Sequence, residues 1–204
     1  HRDLHSFLHD ALPISTSTWD NLLNILTQTS IYGILSLGMT IVIISKGIDL
    51  SVGSILALSA VVATSLGQTS GAANKVYPNL PELPIIVPIL AALLVGMVAG
   101  AINGSLIAYT GIPAFIATLG MTTIARGATY LYTNGRPIST LIPQFKFIGQ
   151  GRFLGIPMPG WIYIVMIAIM WTLLSQTRFG KRAYAIGGNI NAAQVSGEIG
   201  RAHV

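Results

Sequence analysis

Three of the four histidines, His1, His5 and His9, recur at every fourth position. On a helix that spacing lines them along one face, where imidazoles could share a metal ion. No ordering scaffold surrounds them, so the spacing alone does not make a site. The six acids of the 204 residues fall at helix ends or in polar stretches. No nucleophile–base pair can be assembled from them, which argues against an enzyme. Cysteine is absent, which removes disulfide and thiolate chemistry. The phosphate loop G-x-x-x-x-G-K-[ST] is also missing, so ATP, if it drives this protein, must bind to another chain.

The residues that remain for function are few, and the elements around them are apolar. The chain is 52% hydrophobic and only 8% charged, with a mean hydropathy of +0.68. Soluble domains carry about 25% charged residues. The composition is that of a membrane protein, and the pI near 9.8 is no sign of nucleic-acid binding. Residues 1–20 differ in character from the rest of the chain, and they lack the basic start and long apolar core of a signal peptide. They read as a foreign or disordered terminus, outside the fold.

From Asp20 onward, charge-free runs cover 21–45, 50–74, 83–125 and 153–177. A membrane span needs about 20 apolar residues. The third run is twice that and breaks at Thr110-Gly111-Ile112-Pro113. The sequence therefore predicts an all-α, polytopic membrane fold with spans at 24–46, 50–67, 85–109, 113–133 and 158–176. Residues 21–30 are expected to form an interfacial lead-in. Residues 68–84 and 134–157 read as aqueous loops, rich in Gly and Pro.

Several positions stand out against this background. At the first junction, Lys46 sits at the negative end of a helix, and Gly47 can take the left-handed conformation that closes it. Asp49 can cap the next helix beside Ser51. Ala92, Gly96, Gly100, Gly104 and Ala108 are spaced by four and predict a face for close helix packing. Asn103 lies beside that stripe. It can bond to a neighbouring helix or line a polar path. Arg126 is the one charge well inside a predicted span; it can snorkel past Tyr132 or line the path. After the last span, Arg178, Lys181 and Arg182 form a basic belt. Gly187-Gly188-Asn189 is expected to stop any helix and cap a short new one carrying Ala192 and Ala193, which Gly197 can end. This stretch reads either as an ordinary turn or as a loop gripped by another protein. The positive-inside rule places it in the cytoplasm.

Four stretches resemble one family. TRFGKRAYAIGGNINAAQVSG (177–197) is similar to the coupling loop of the ribose-type permeases of bacterial ABC sugar importers. GIDLSVGS (47–54), GAINGSLIAYTGIPAFIATLGM (100–121) and GRPI (135–138) resemble the same family. Asn191 stands where the wider coupling motif usually has Glu. The tail after Gly197 departs from the pattern, so the chain resembles part of a longer permease.

The resemblance implies an inner-membrane permease subunit with no cofactor of its own. It implies that Gly187, Gly188, Asn189, Ala192, Ala193 and Gly197 dock on an ABC ATPase subunit, with Gly47, Asp49 and Ser51 in a neighbouring cytoplasmic hairpin. It further implies a periplasmic sugar-binding protein, a second permease chain and a path for a monosaccharide. The rival class is an ion-coupled secondary sugar transporter. Such carriers usually keep Asp, Glu or His inside the membrane, and no predicted span here contains one.

Overall fold

The computed structural model describes residues 18–189. Its helices are α1 (Thr18–Ile44), α2 (Val52–Leu66), α3 (Ile86–Thr110), α4 (Ala114–Thr133), α5 (Pro143–Gln150), α6 (Met158–Gln176) and α7 (Arg178–Gly188). A two-residue antiparallel hairpin, β1 (Arg152–Phe153) and β2 (Ile156–Pro157), joins α5 to α6. The fold is all-α apart from this hairpin.

Three helices are long and apolar enough to cross a membrane by themselves: α1 from Trp19, α3 and α6. Two of the five expected spans fall short of that standard. α2 is only 15 residues, because residues 45–51 are spent on a turn. α4 has 20 residues, but Arg126 and threonines at 118, 122, 123, 129 and 133 dilute its apolar character. The expected lead-in at 21–30 is not separate. It belongs to α1, whose first turn includes Thr18, Trp19 and Asp20. The remainder of the proposed foreign terminus, 1–17, lies outside the described residues.

The packing is inverted relative to a soluble domain. Many large apolar side chains, such as Leu93, Leu94, Met97 and Ile124, point outward, while many buried positions are small or hydroxylic, among them Ala63, Ala99, Ala125, Ser54, Ser65 and Thr118. Helices in lipid gain little from burying Leu against Leu, so small residues at the contacts allow closer van der Waals packing. Hydroxyls inside the helices return their proton to the preceding turn, as Ser30 does to Leu26 O at 2.6 Å and Thr172 to Ala168 O at 2.8 Å. This satisfies a polar group where no water is at hand.

The helices pack in two groups. α2, α3 and α4 form one; α1, α6 and α7 form the other, with α5 against α6. Gly33 makes room for the Tyr163 ring where α1 and α6 cross, since a Cβ there would lie 2.5 Å from it. Between the groups runs an apolar groove of about 360 Å³, lined by Gly38, Val42, Val52, Ser59, Gly96 and Gly100 among others.

That groove corrects the expectation for the small-residue stripe. A Cβ on Gly96 would make an ordinary 3.8 Å contact with Ser59 Oγ, and at Gly100 or Gly104 it would meet nothing within 4 Å. Among the described residues no neighbouring backbone sits on the stripe. Gly100→Ala should therefore raise thermal stability in detergent, by roughly 0.5–1 kcal/mol from the lower entropy cost of Ala in a helix. A lowered melting temperature would show that another helix covers the position.

Loop geometry at the α5 end is set by polar side chains. Gln68, buried, donates to Asn74 O (3.2 Å) and Ser139 O (3.1 Å) and accepts from Val76 N (2.9 Å). Glu82 accepts from the Ser70 amide (2.8 Å) and hydroxyl (2.9 Å). Those bonds, the amide first, hold its carboxyl below the usual carboxylate range against a small opposing desolvation, so it is ionised at neutral pH.

Candidate functional site

At the end of the bundle that carries α7, five helices meet on the turn 45–51: α1, α2, α3, α4 and α7. α1 closes with amides of Lys46 and Gly47 bonded back to Ile43 O and Val42 O. This is a Schellman arrangement. Its left-handed residue is Lys46, at φ 59°, and not Gly47 as the sequence suggested. The reason is register: α1 ends at Ile44, short of the expected 46, which moves the left-handed position off the glycine and onto Lys46. Asp49 also differs from its expected role. The residue flanking α2 is Ser51, which makes no side-chain capping bond. Asp49 Oδ1 instead accepts from Ser51 N (2.7 Å) and Ser51 Oγ (2.6 Å), bracing the turn before the helix begins.

Ser51 is wholly buried, and its hydroxyl oxygen also accepts from Asn103 Nδ2 at 3.0 Å. Asn103 is thus turned into the packing between α2 and α3. That is the helix-bonding role, and within this chain its amide donor faces Ser51 and not a path. Its Oδ1 is buried with no partner among the described residues. α4 holds the other side of the turn: Leu50 N donates to Thr118 Oγ1 (3.2 Å), and Thr122 Oγ1 donates to Leu50 O (2.9 Å). The sequence reading missed both threonines. Their i, i+4 spacing, which sets both hydroxyls on one face of the helix, was the available signal.

α7 approaches from the opposite side. Thr177 flanks it, accepting from Gly180 N at 3.4 Å, and the basic belt Arg178, Lys181 and Arg182 lies exposed on its first turns. α7 ends within the expected stop Gly187-Gly188-Asn189: Gly188 is its last residue and Asn189 its C-terminal cap, with its amide on Ala185 O. Gly187 also serves proximity. A Cβ there would stand 1.8 Å from Ile44 O, so the α7 backbone rests directly on the end of α1. Lys46 Nζ reaches Gly188 O at 3.4 Å. Ala192, Ala193 and Gly197 lie outside the described residues. Arg126 lies one helical turn beyond Thr122 on α4 and is exposed.

The other end carries a polar cavity of about 380 Å³, lined by Asn74, Lys75, Tyr132, Asn134 and Arg136 among others. Tyr132 bonds both Ser65 Oγ and Tyr77 OH at 2.7 Å, tying α4 to α2 and to the loop after it. No group of acids, histidines or cysteines among the described residues could hold a metal ion.

A sequence model described as "Branched-chain amino acid transport system / permease component" matches residues 21–198. The chain belongs to this permease family. Curated permease relatives include the ribose import permease of Haemophilus influenzae, 45% identical over 182 residues, which are 87% of this chain and 53% of that protein. The ribose import permease of Escherichia coli K12 is 42% identical over 184 residues, covering 88% of this chain and 54% of the relative. The galactose/methyl galactoside import permease of the same strain is 42% identical over 185 residues, covering 87% and 55%. The chain spans about half the length of the curated permeases it matches. No solved structure matches it. With three apolar spanning helices and this family membership, the permease is a multi-pass inner-membrane protein.

Proposed function

We propose that the chain is the membrane-spanning permease portion of an ATP-driven importer of a monosaccharide, ribose or a similar sugar. The observation that carries this reading is the 42–45% identity to ribose and galactose import permeases across nearly the whole chain. The α7 end and the segment 189–197 face the cytoplasm and dock on an ABC ATPase subunit. A second permease chain completes the path, and a periplasmic sugar-binding protein delivers the sugar to the opposite face. Arg126, exposed on α4, remains a candidate for lining that path in the assembled pair, whereas Asn103 is committed to Ser51. Energy supplied from outside the bilayer suits the spans: among the described helices the only acid is Asp20, in the first turn of α1, so a buried carboxylate for an ion-coupled cycle is lacking.

The test uses the full-length permease with its ATPase and binding protein in proteoliposomes. Labelled ribose or galactose should accumulate only with ATP and should persist with a protonophore. Accumulation driven by a proton or sodium gradient without ATP would sink the reading, and ATP-driven uptake of leucine in preference to the sugars would replace the substrate class. Ala193→Glu tests the docking segment. A charge buried there without a partner should weaken ATPase association by roughly 2–5 kcal/mol, while membrane yield stays normal. Unchanged co-purification and uptake would make the segment a plain turn.

A further inference from the structure

We propose that the turn 45–51 is the linkage through which movement of the α7 end reaches the α2–α4 group. The proposal rests on the reading of the chain as an ATP-driven permease, and it assigns the internal route that such a permease needs. α7 packs on α6 and α1. Neither α6 nor α7 packs substantially on α2, α3 or α4, and the groove of about 360 Å³ separates the two groups. A displacement delivered at α7 therefore has little direct purchase on α2, α3 and α4. At the opposite end the groups meet through α5, whose Phe145 ring would lie 3.5 Å from a Cβ on Gly67. At the α7 end, the turn is what joins them.

Both faces of the turn are built for contact. On the α7 side, Gly187 lets one backbone seat on another at Ile44, and Lys46 Nζ bonds Gly188 O. Backbone-to-backbone contact transmits a push without the slack of a rotating side chain. On the other side, the turn is bonded to three helices. Asp49 and Ser51 lead to Asn103 of α3, the Ser51 backbone starts α2, and Leu50 is held through both its amide and its carbonyl by Thr118 and Thr122 of α4. The left-handed Lys46 and the wholly buried Ser51 leave the turn little freedom to absorb motion. Thr118, Thr122, Ser51 and Gly187 are positioning residues in this scheme; none needs to touch sugar or nucleotide.

The experiment measures sugar imported per ATP hydrolysed in the reconstituted full-length transporter, with labelled ribose as the probe. Gly187→Ala should part α7 from α1, and Thr122→Val should release the Leu50 carbonyl from α4, loosening the turn. Each should lower the import-to-hydrolysis ratio by about fivefold, the middle of the range for coupling changes. In Thr122→Val, ATPase co-purification and stimulated hydrolysis should persist, because α4 lies outside the docking segment. Thr122→Ser, which keeps the hydroxyl, should restore the ratio; a merely structural loss would lower yield and both activities together. If Gly187→Ala does not reach the membrane, Thr122→Val decides. Normal coupling in Thr122→Val overturns the linkage. Loss of ATP-dependent import in the unsubstituted transporter would instead remove the functional reading on which the linkage rests.

Discussion

Gly180→Ala is expected to collapse the corner between α6 and α7. A Cβ on Gly180 would sit 2.0 Å from Leu174 O and 2.5 Å from the Leu174 carbonyl carbon. These are backbone atoms of the preceding helix, so no side-chain rotation can relieve the clash. The corner is also closed by Thr177, whose hydroxyl donates to Leu173 O (2.5 Å) and accepts from Gly180 N. Opening it to admit a methyl group breaks that arrangement and lifts α7 off α1. Overpacking of a well-fitted core costs about 1–3 kcal/mol, and a clash against fixed backbone belongs at the upper end. The check is the melting temperature and membrane yield of Gly180→Ala beside Gly53→Ala, where a Cβ meets nothing within 4 Å. Equal stability of the two variants would show that the corner yields to a methyl group.

Gln68→Leu should have an effect of similar size at the other end. Gln68 is buried and spends both amide donors and its carbonyl on backbone groups of two loops. The loops are otherwise joined by the Thr69 N–Thr140 O bond (2.9 Å) and the Ile142 N–Gly67 O bond (2.9 Å). Leucine fills a similar volume but leaves Asn74 O, Ser139 O and Val76 N without their partner. Each unpaired buried group costs about 1–3 kcal/mol, less where water can enter, so a total near 2–4 kcal/mol is expected. Limited proteolysis should then cut within 68–84 in Gln68→Leu while the helices stay intact. Protection equal to that of the unsubstituted chain would mean the two backbone bonds suffice.

How far the sequence predicted this molecule depended on what each signal measures. Charge-free runs report where a chain can sit in lipid, and they located α1, α3 and α6 to within a few residues at most ends. They say nothing about where a turn begins, so α2 was drawn too long and the left-handed residue was placed one position late, on Gly47. Glycine is ambiguous for a related reason. Gly100 reads as a helix contact and faces a groove, while Gly187, at the expected helix end, is also a close contact with α1. A missing side chain permits either use, and only the position of the neighbour decides. Asn103 was correctly singled out, because an amide among apolar residues must find a partner, but its partner Ser51 lies 52 positions away. Thr118 and Thr122 were passed over because threonine in a membrane helix usually bonds its own preceding turn, as both of these also do.

The shortness of α2 has a further consequence. Fifteen residues rise about 22 Å, whereas the hydrocarbon layer is about 30 Å deep. If α2 starts at the same face as its neighbours end, the turn before it is drawn inward, below the headgroups, or the membrane must pinch around it. A polar turn at that depth has no solvent to lean on. This accounts for the dense internal bonding of Asp49, Leu50 and Ser51: the protein hydrates its own recessed turn with side chains from α3 and α4. Acyl-chain length then becomes a variable to which this permease should respond, with shorter lipids easing the strain on the turn and longer ones pulling it deeper.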